Sequence, residues 1–210
     1  MPGEAPEPGE FLADARALEA AGADTLWLAP GAHDAWMLAA AIATVTSRVG
    51  IGLTVDDRAT GLVPRIRTLQ RFSRGRARLQ AEARGLERVV QLARKAGGCR
   101  VLGRADDAGA WSGVTALADG LLLSGANPEE DGARLERIRA LTAETARSGV
   151  FEAWVELRVP EAREAWRRAV ALYQGAGATG LVFPFDSRLV DLLRRADEED
   201  DRSDLALAQG

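Results

Sequence analysis

Seven short runs suited to buried strands alternate strictly with eight helical stretches along this chain, and that alternation constrains its fold more than any other feature. The strand-like runs are 26–29, 49–55, 76–81, 100–103, 121–124, 151–159 and 181–185. The helical stretches are 11–21, 35–47, 62–72, 86–96, 108–118, 128–147, 161–174 and 187–196. In the first unit, Phe11, Leu12, Ala15, Leu18 and Ala21 fall on one helical face and Gly22 closes it, as a residue free to adopt positive φ should. Leu26-Trp27-Leu28-Ala29 follows as a continuous apolar run, the pattern of a strand covered on both faces of a parallel sheet. A helix between each pair of strands returns the chain to the same end of the sheet, so the strands are parallel and the fold class is α/β.

Two helix-to-strand turns resemble one another. Ala21-Gly22-Ala23-Asp24-Thr25-Leu26-Trp27 parallels Ala176-Gly177-Ala178-Thr179-Gly180-Leu181-Val182, and Pro30 and Pro184 follow the two strands alike. A recurring unit favours a parallel β/α (TIM-type) barrel, here with seven clear strands, over an open doubly wound sheet. Residues 1–10, with Pro2, Pro6, Pro8 and two glycines, read as a flexible lead-in, residues 11–196 as one barrel domain, and 197–210 as an acidic tail.

Composition removes several functions. The net charge of −4 offers no basic face for nucleic acid. The longest apolar run, from Ala35 to Ala43, is about half of a bilayer span, and a lone Cys99 fits a reducing, cytoplasmic compartment. A single histidine cannot build a multi-histidine metal site, and neither a phosphate-binding Gly-Lys-Ser/Thr loop nor a Gly-x-Ser-x-Gly elbow is present. Lys95, the only lysine, follows Arg94 on a helix and reads as solvated rather than as a Schiff-base former. The glycines of 175–180 match a dinucleotide-binding spacing, but they follow a helix and lead into a strand, the reverse of what phosphate binding needs, so they read as a helix cap.

Two loops fall on the face where such barrels assemble sites, the C-terminal ends of the strands. His33 follows the first strand in Pro30-Gly31-Ala32-His33-Asp34; it is either a proton donor or a loop residue beside a helix-capping Asp34. Arg84-Gly85 follows the third strand and Glu82. It could meet a phosphate with its guanidinium and nearby amides, or Arg84 could pair with Glu82 or Glu87. The helix 35–47 is apolar almost all round, which suggests either an association surface or burial by its own chain.

Three segments resemble the bacterial luciferase-like family of flavin- and F420-dependent enzymes. They are Leu18-Glu19-Ala20-Ala21-Gly22-Ala23-Asp24-Thr25-Leu26-Trp27-Leu28, the stretch from Ala35 through Thr46-Ser47-Arg48-Val49-Gly50 to Leu69-Gln70-Arg71-Phe72-Ser73-Arg74-Gly75-Arg76, and Ala118-Asp119-Gly120-Leu121-Leu122-Leu123. The resemblance implies a β/α barrel holding FMN or F420, with Arg84, Gly85 and Glu82 at the cofactor and His33 as the local proton donor. It also implies a small-molecule substrate and oxidoreductase or monooxygenase chemistry. Helix 35–47 would join a homodimer or a heterodimer with a related barrel. The family's first strand has no counterpart before Phe11, and Pro30-Gly31-Ala32 stands where several members carry acidic and histidine residues. These departures point to the alternative of a catalytically inactive barrel serving as partner subunit or flavin-binding protein. A third reading places a phosphorylated substrate at the loop after Phe185, with Ser187 capping the next helix.

Overall fold

The computed structural model describes residues 7–31, 33–145 and 149–194. Seven parallel strands lie in chain order, β1 (Thr25–Leu28), β2 (Gly50–Thr54), β3 (Ala77–Glu82), β4 (Arg100–Arg104), β5 (Gly120–Ser124), β6 (Glu152–Glu156) and β7 (Gly180–Val182). They are flanked by helices α1 (Pro8–Ala20), α2 (Ala35–Val45), α3 (Leu62–Phe72), α4 (Leu86–Lys95), α5 (Trp111–Leu117), α6 (Pro128–Glu144), α7 (Arg163–Ala176) and α8 (Leu189–Arg194). The expected alternation is therefore observed element for element.

Several boundaries move, each for a local reason. The lead-in expected over 1–10 does not reach Pro8, where α1 already begins; a proline suits the first turn because its missing N–H has no intrahelical partner there. The strand expected over 151–159 shortens to β6, and 181–185 shortens to β7, which Pro184 cannot extend as a ladder donor. Helix 35–47 stops at Val45, where Thr46 turns extended and its hydroxyl donates to the Ile42 carbonyl. The expected tail, 197–210, lies outside the described residues. The glycines of 175–180 behave as a cap: Gly177 ends α7 at φ 95°, and Gly22 makes the same turn after α1 at φ 98°.

The sheet curls strongly. Trp27 on β1 and Trp154 on β6 stand five strands apart in hydrogen-bonded order, a separation of roughly 24 Å in a flat sheet, yet their rings meet edge-to-face at 5.9 Å between centroids. Arg78 on β3 likewise reaches Glu152 on β6 at 2.6 Å. Outward strand residues such as Ile51, Leu53, Leu79, Leu121 and Val155 are buried beneath the helices and form the main core. Inward residues form a second, smaller core of Leu102, Leu122 and Trp154, packed by Trp27 and Val182. Among the described residues the ring is not closed by hydrogen bonds, because β1 and β7 are the two ends of the sheet; α1 and α8 pack together outside that seam.

Candidate functional site at the C-terminal ends of the strands

Side chains alternate across each strand, so the inward positions stack into layers. At the lower end Arg78 and Arg100 both pair with Glu152, the Arg78 guanidinium lies 5.7 Å from the Trp154 ring centroid, and Trp154 Nε1 donates to Glu152 at 3.0 Å. Burial lowers the Arg78 pKa, opposed by the charge of Asp24. With the buried Gln80 beside Leu102 as its polar member, the middle layer is otherwise apolar and holds the two tryptophans. Their size is matched by missing side chains next door: a Cβ on Gly52 would lie 2.1 Å from the Trp27 ring, and one on Gly180 would lie 2.7 Å from Trp154.

Above this floor, at the C-terminal ends, the inward residues become polar again. Arg104 donates to Ser124 Oγ at 2.9 Å and to Glu156 Oε2 at 2.7 Å. Asp106, in the loop after β4, accepts from the Ser124 backbone N–H at 2.7 Å and from its hydroxyl at 2.9 Å. Arg134 of α6 donates to the Ser124 carbonyl at 2.8 Å and to Asp131 at 3.1 Å. Asp131 is fully buried and also accepts from the Tyr173 hydroxyl at 2.8 Å; burial and that carboxylate push the Tyr173 pKa up. The network runs from helices α6 and α7 to a layer of side chains facing the mouth. Arg104 and Glu156 keep 28% and 39% of their side chains exposed, so both could exchange a mutual partner for a bound molecule.

The expected site residues fall around the same rim. His33 is partly buried after β1, with its ring edge-on to Phe11 of α1 at 5.9 Å. Asp34 caps α2 by accepting from the Trp36 and Met37 amides. Glu82 ends β3, and Arg84 is exposed on the short 3-10 turn that follows. Gly85 is buried, and a Cβ there would lie 2.7 Å from the Asp57 side chain, so its glycine serves close packing with the loop after β2. His33 and Arg84 stand over β1 and β3, with β2 between them, and the sheet spacing sets their strands roughly 10 Å apart. At the loop after Phe185, Asp186 makes the turn: it accepts from the Arg188 backbone N–H and pairs with its guanidinium, while its carbonyl accepts from the Leu189 amide. Arg188 holds the Asp186 carboxyl down to about 2.

Sequence reading by apolar runs missed Arg104, Ser124 and Glu156. Their signal was the period-two recurrence of polar residues inside the strands themselves, Arg78-x-Gln80-x-Glu82, Arg100-x-Leu102-x-Arg104 and Glu152-x-Trp154-x-Glu156, which a strand covered by apolar layers on both faces would not show. No group of three or more metal-ligating side chains occurs among the described residues. No helix among them is long and apolar enough to cross a membrane.

The curled seven-stranded sheet is a fold found in known enzymes. The chain is similar to F420-dependent tetrahydromethanopterin reductase from Methanopyrus kandleri, with TM-score 0.72 at 11% identity over 91% of this chain and 95% of that one. It is also similar to the FMN-bound oxygenating constituent of 3,6-diketocamphane monooxygenase from Pseudomonas putida, with TM-score 0.69 at 10% identity over 94% of each chain. An F420-dependent secondary alcohol dehydrogenase matches with TM-score 0.68 at 11% identity over 91% of this chain and 94% of that one. The chain has the luciferase-like fold. No protein-family model matches the sequence, and no curated protein matches it. Sequence identity near one residue in ten leaves the fold as what is shared.

Proposed function

We propose that this chain is an oxidoreductase of the monooxygenase type that holds FMN or F420 at the C-terminal face of its barrel and acts on a small molecule. The observation that carries the reading is the layer of Arg104, Ser124 and Glu156 at the mouth, one inward position above the apolar floor of Leu122 and Trp154. A flat ring fits such a floor, and donors and acceptors at its edge fit the polar rim of a flavin or deazaflavin. Arg84, exposed beside the mouth, would contact the cofactor's phosphate, with Glu82 beside it and Gly85 shaping the turn. His33 would deliver a proton at the rim over β1. When bound, the cofactor supplies the redox chemistry, and these residues bind, orient and shield it.

Titration of the purified protein with FMN and with F420, followed by cofactor absorbance and fluorescence quenching, tests this. Saturable binding of one cofactor is expected, weakened about tenfold in Arg84→Ala, which corresponds to ~1.4 kcal/mol. No binding of either would overturn the reading. A second reading, a flavin-binding or partner subunit without turnover, draws on the edge-on packing of His33 against Phe11. A turnover assay with the reduced cofactor separates the two: activity sensitive to His33→Ala supports the enzyme, and cofactor binding without turnover supports the partner.

Association through α2 belongs to the same proposal. Ala39, Ile42 and Ala43 are buried against the chain's own core, while Met37 is 71% exposed on the same helix. That leaves an apolar residue at the surface for a homodimer or a heterodimer with a related barrel.

A further inference from the structure

The net charge of −4 averages over an uneven chain. Between residues 58 and 100 stand twelve arginines and lysines against two acids, Glu82 and Glu87, so the acidity of the rest conceals a basic sector. Helices α3 and α4, which pack side by side, gather most of these cations. Their apolar residues, among them Ile66, Leu69, Val89 and Ala93, are buried, and Arg65, Arg67, Arg71, Arg88, Arg94 and Lys95 are all exposed. None of the six forms a salt bridge among the described residues. Glu87, the one acid on either helix, accepts from Gln91. Arg67 Nη2 donates to the Lys95 carbonyl at 3.3 Å, so the two rows of cations run close together. Like charges gathered in this way repel one another, and a polyanion laid across them relieves the repulsion.

A second feature adjoins the C-terminal end of α3. There a pocket of about 350 Å³ lies between Thr44, Thr46 and Ser47 at the end of α2 and Phe72 and Arg74 at the end of α3. Phe72 is 54% exposed, and among the described residues it is the one large apolar side chain exposed on α3 or α4. Arg74 is the one described non-glycine residue at positive φ, 54°, a conformation that is costly for a residue with a Cβ. Arg76, the other cation of the pocket, already donates to the carbonyls of Ala43, Thr46 and Val49 at 2.5–3.2 Å. The pocket therefore joins hydroxyls, an arginine without an ion pair among the described residues and an exposed aromatic ring, in a volume suited to one flat polar ring. Met37, offered above to a partner barrel, stands at the opposite end of α2.

We propose that the α3–α4 face binds single-stranded nucleic acid, with Arg67, Arg71, Arg88, Arg94 and Lys95 on its phosphates and an unpaired base stacked on Phe72 in the pocket beside Arg74. A row of cations that follows the backbone and an aromatic platform for a base are the two elements of such binding. A duplex has no unpaired base for Phe72. An anionic bilayer would meet helices whose apolar faces are already buried, with nothing left to insert. A protein partner calls for an apolar centre, whereas this face offers one ring set among cations. The proposal goes beyond the cofactor reading and stands without it, because it uses the outer helices rather than the barrel mouth.

Fluorescence anisotropy of labelled oligothymidylate and oligouridylate strands of about 12 nucleotides, titrated with the full chain in the absence of FMN and F420, tests the proposal. Binding of at least one strand is expected at low salt, weakening steeply as KCl rises. Arg71→Glu with Lys95→Glu should weaken it at least about tenfold and flatten the salt dependence, and Arg71→Gln with Lys95→Gln should act in the same direction. Arg168→Glu, at an exposed position on α7, should change neither. Phe72→Ala should weaken binding about fivefold at every salt concentration, and Phe72→Tyr should keep it, which separates stacking from any loss of fold. Failure of the native chain to bind either strand overturns the proposal, as does equal binding of a duplex of the same length. Weakening by Arg168→Glu as large as that of the double variant also overturns it. Phosphatidylglycerol vesicles bound in place of both strands overturn it in favour of a membrane surface.

Discussion

At the scale of single residues, the barrel interior is built around two tryptophans and the glycines that make room for them. Gly52 adopts a strand conformation that any residue could hold, so its importance is steric rather than conformational: Gly52→Ala places a methyl group within the Trp27 ring. Overpacking of this kind costs about 1–3 kcal/mol, and a urea unfolding curve should show that loss together with an altered tryptophan emission. Beneath the rings, Glu152 takes two arginines and the Trp154 indole. Glu152→Gln leaves the half-buried Arg78 without its carboxylate, and the destabilisation expected is about 1–3 kcal/mol, read from the same unfolding midpoint. Cys99 is the opposite case. Burial is the main cause pushing its thiol up to about 12, so iodoacetamide at pH 8 should leave the native protein unmodified and alkylate the unfolded chain.

At the scale of elements, two acidic side chains fix how α2 enters and leaves the fold. Asp34 accepts the first free amides of the helix, from Trp36 at 2.9 Å and Met37 at 3.4 Å; Asp34→Ala removes the cap and should cost about 1 kcal/mol. Glu19, on α1, reaches the turn after α2 and accepts from the amides of Ser47, Arg48 and Val49 at 2.6–2.9 Å. Burial raises its pKa, but the three backbone donors outweigh that effect and hold it below the ordinary 4.5. A carboxyl with a depressed folded pKa contributes stability that is fully present above its unfolded value and is lost as pH falls through the folded one. Thermal melts should therefore lose stability below about pH 4.5, with a shallower decline in Glu19→Gln.

At the scale of the whole molecule, the parallel alternation and the curl of the sheet gather loops from seven strand ends onto one face, where the polar layer of Arg104, Ser124 and Glu156 lies. If α2 is an association surface, light scattering coupled to gel filtration should find a dimer that Met37→Glu converts to monomer, because a carboxylate at a residue 71% exposed in the single chain costs nothing until a partner buries it. A monomer in both proteins would assign the apolar face of α2 to its own core alone.

The sequence alone determined the class of fold, because a helix after every short strand leaves the chain only parallel connections, and because Gly22 and Gly177 announce the same left-handed turn twice. It also located two rim positions, His33 and Arg84, since a loop after a strand must lie at that strand's C-terminal end. It did not disclose the inner layers. Trp27 and Trp154 meet only because the sheet curls, and a strand's own residues carry no record of which distant strand will face them across the ring. The open seam was equally illegible, as it is a property of where β1 and β7 come to rest rather than of either strand. Periodicity fixes which side of a strand each residue occupies, whereas the curvature that brings opposite sides together is set by packing throughout the chain.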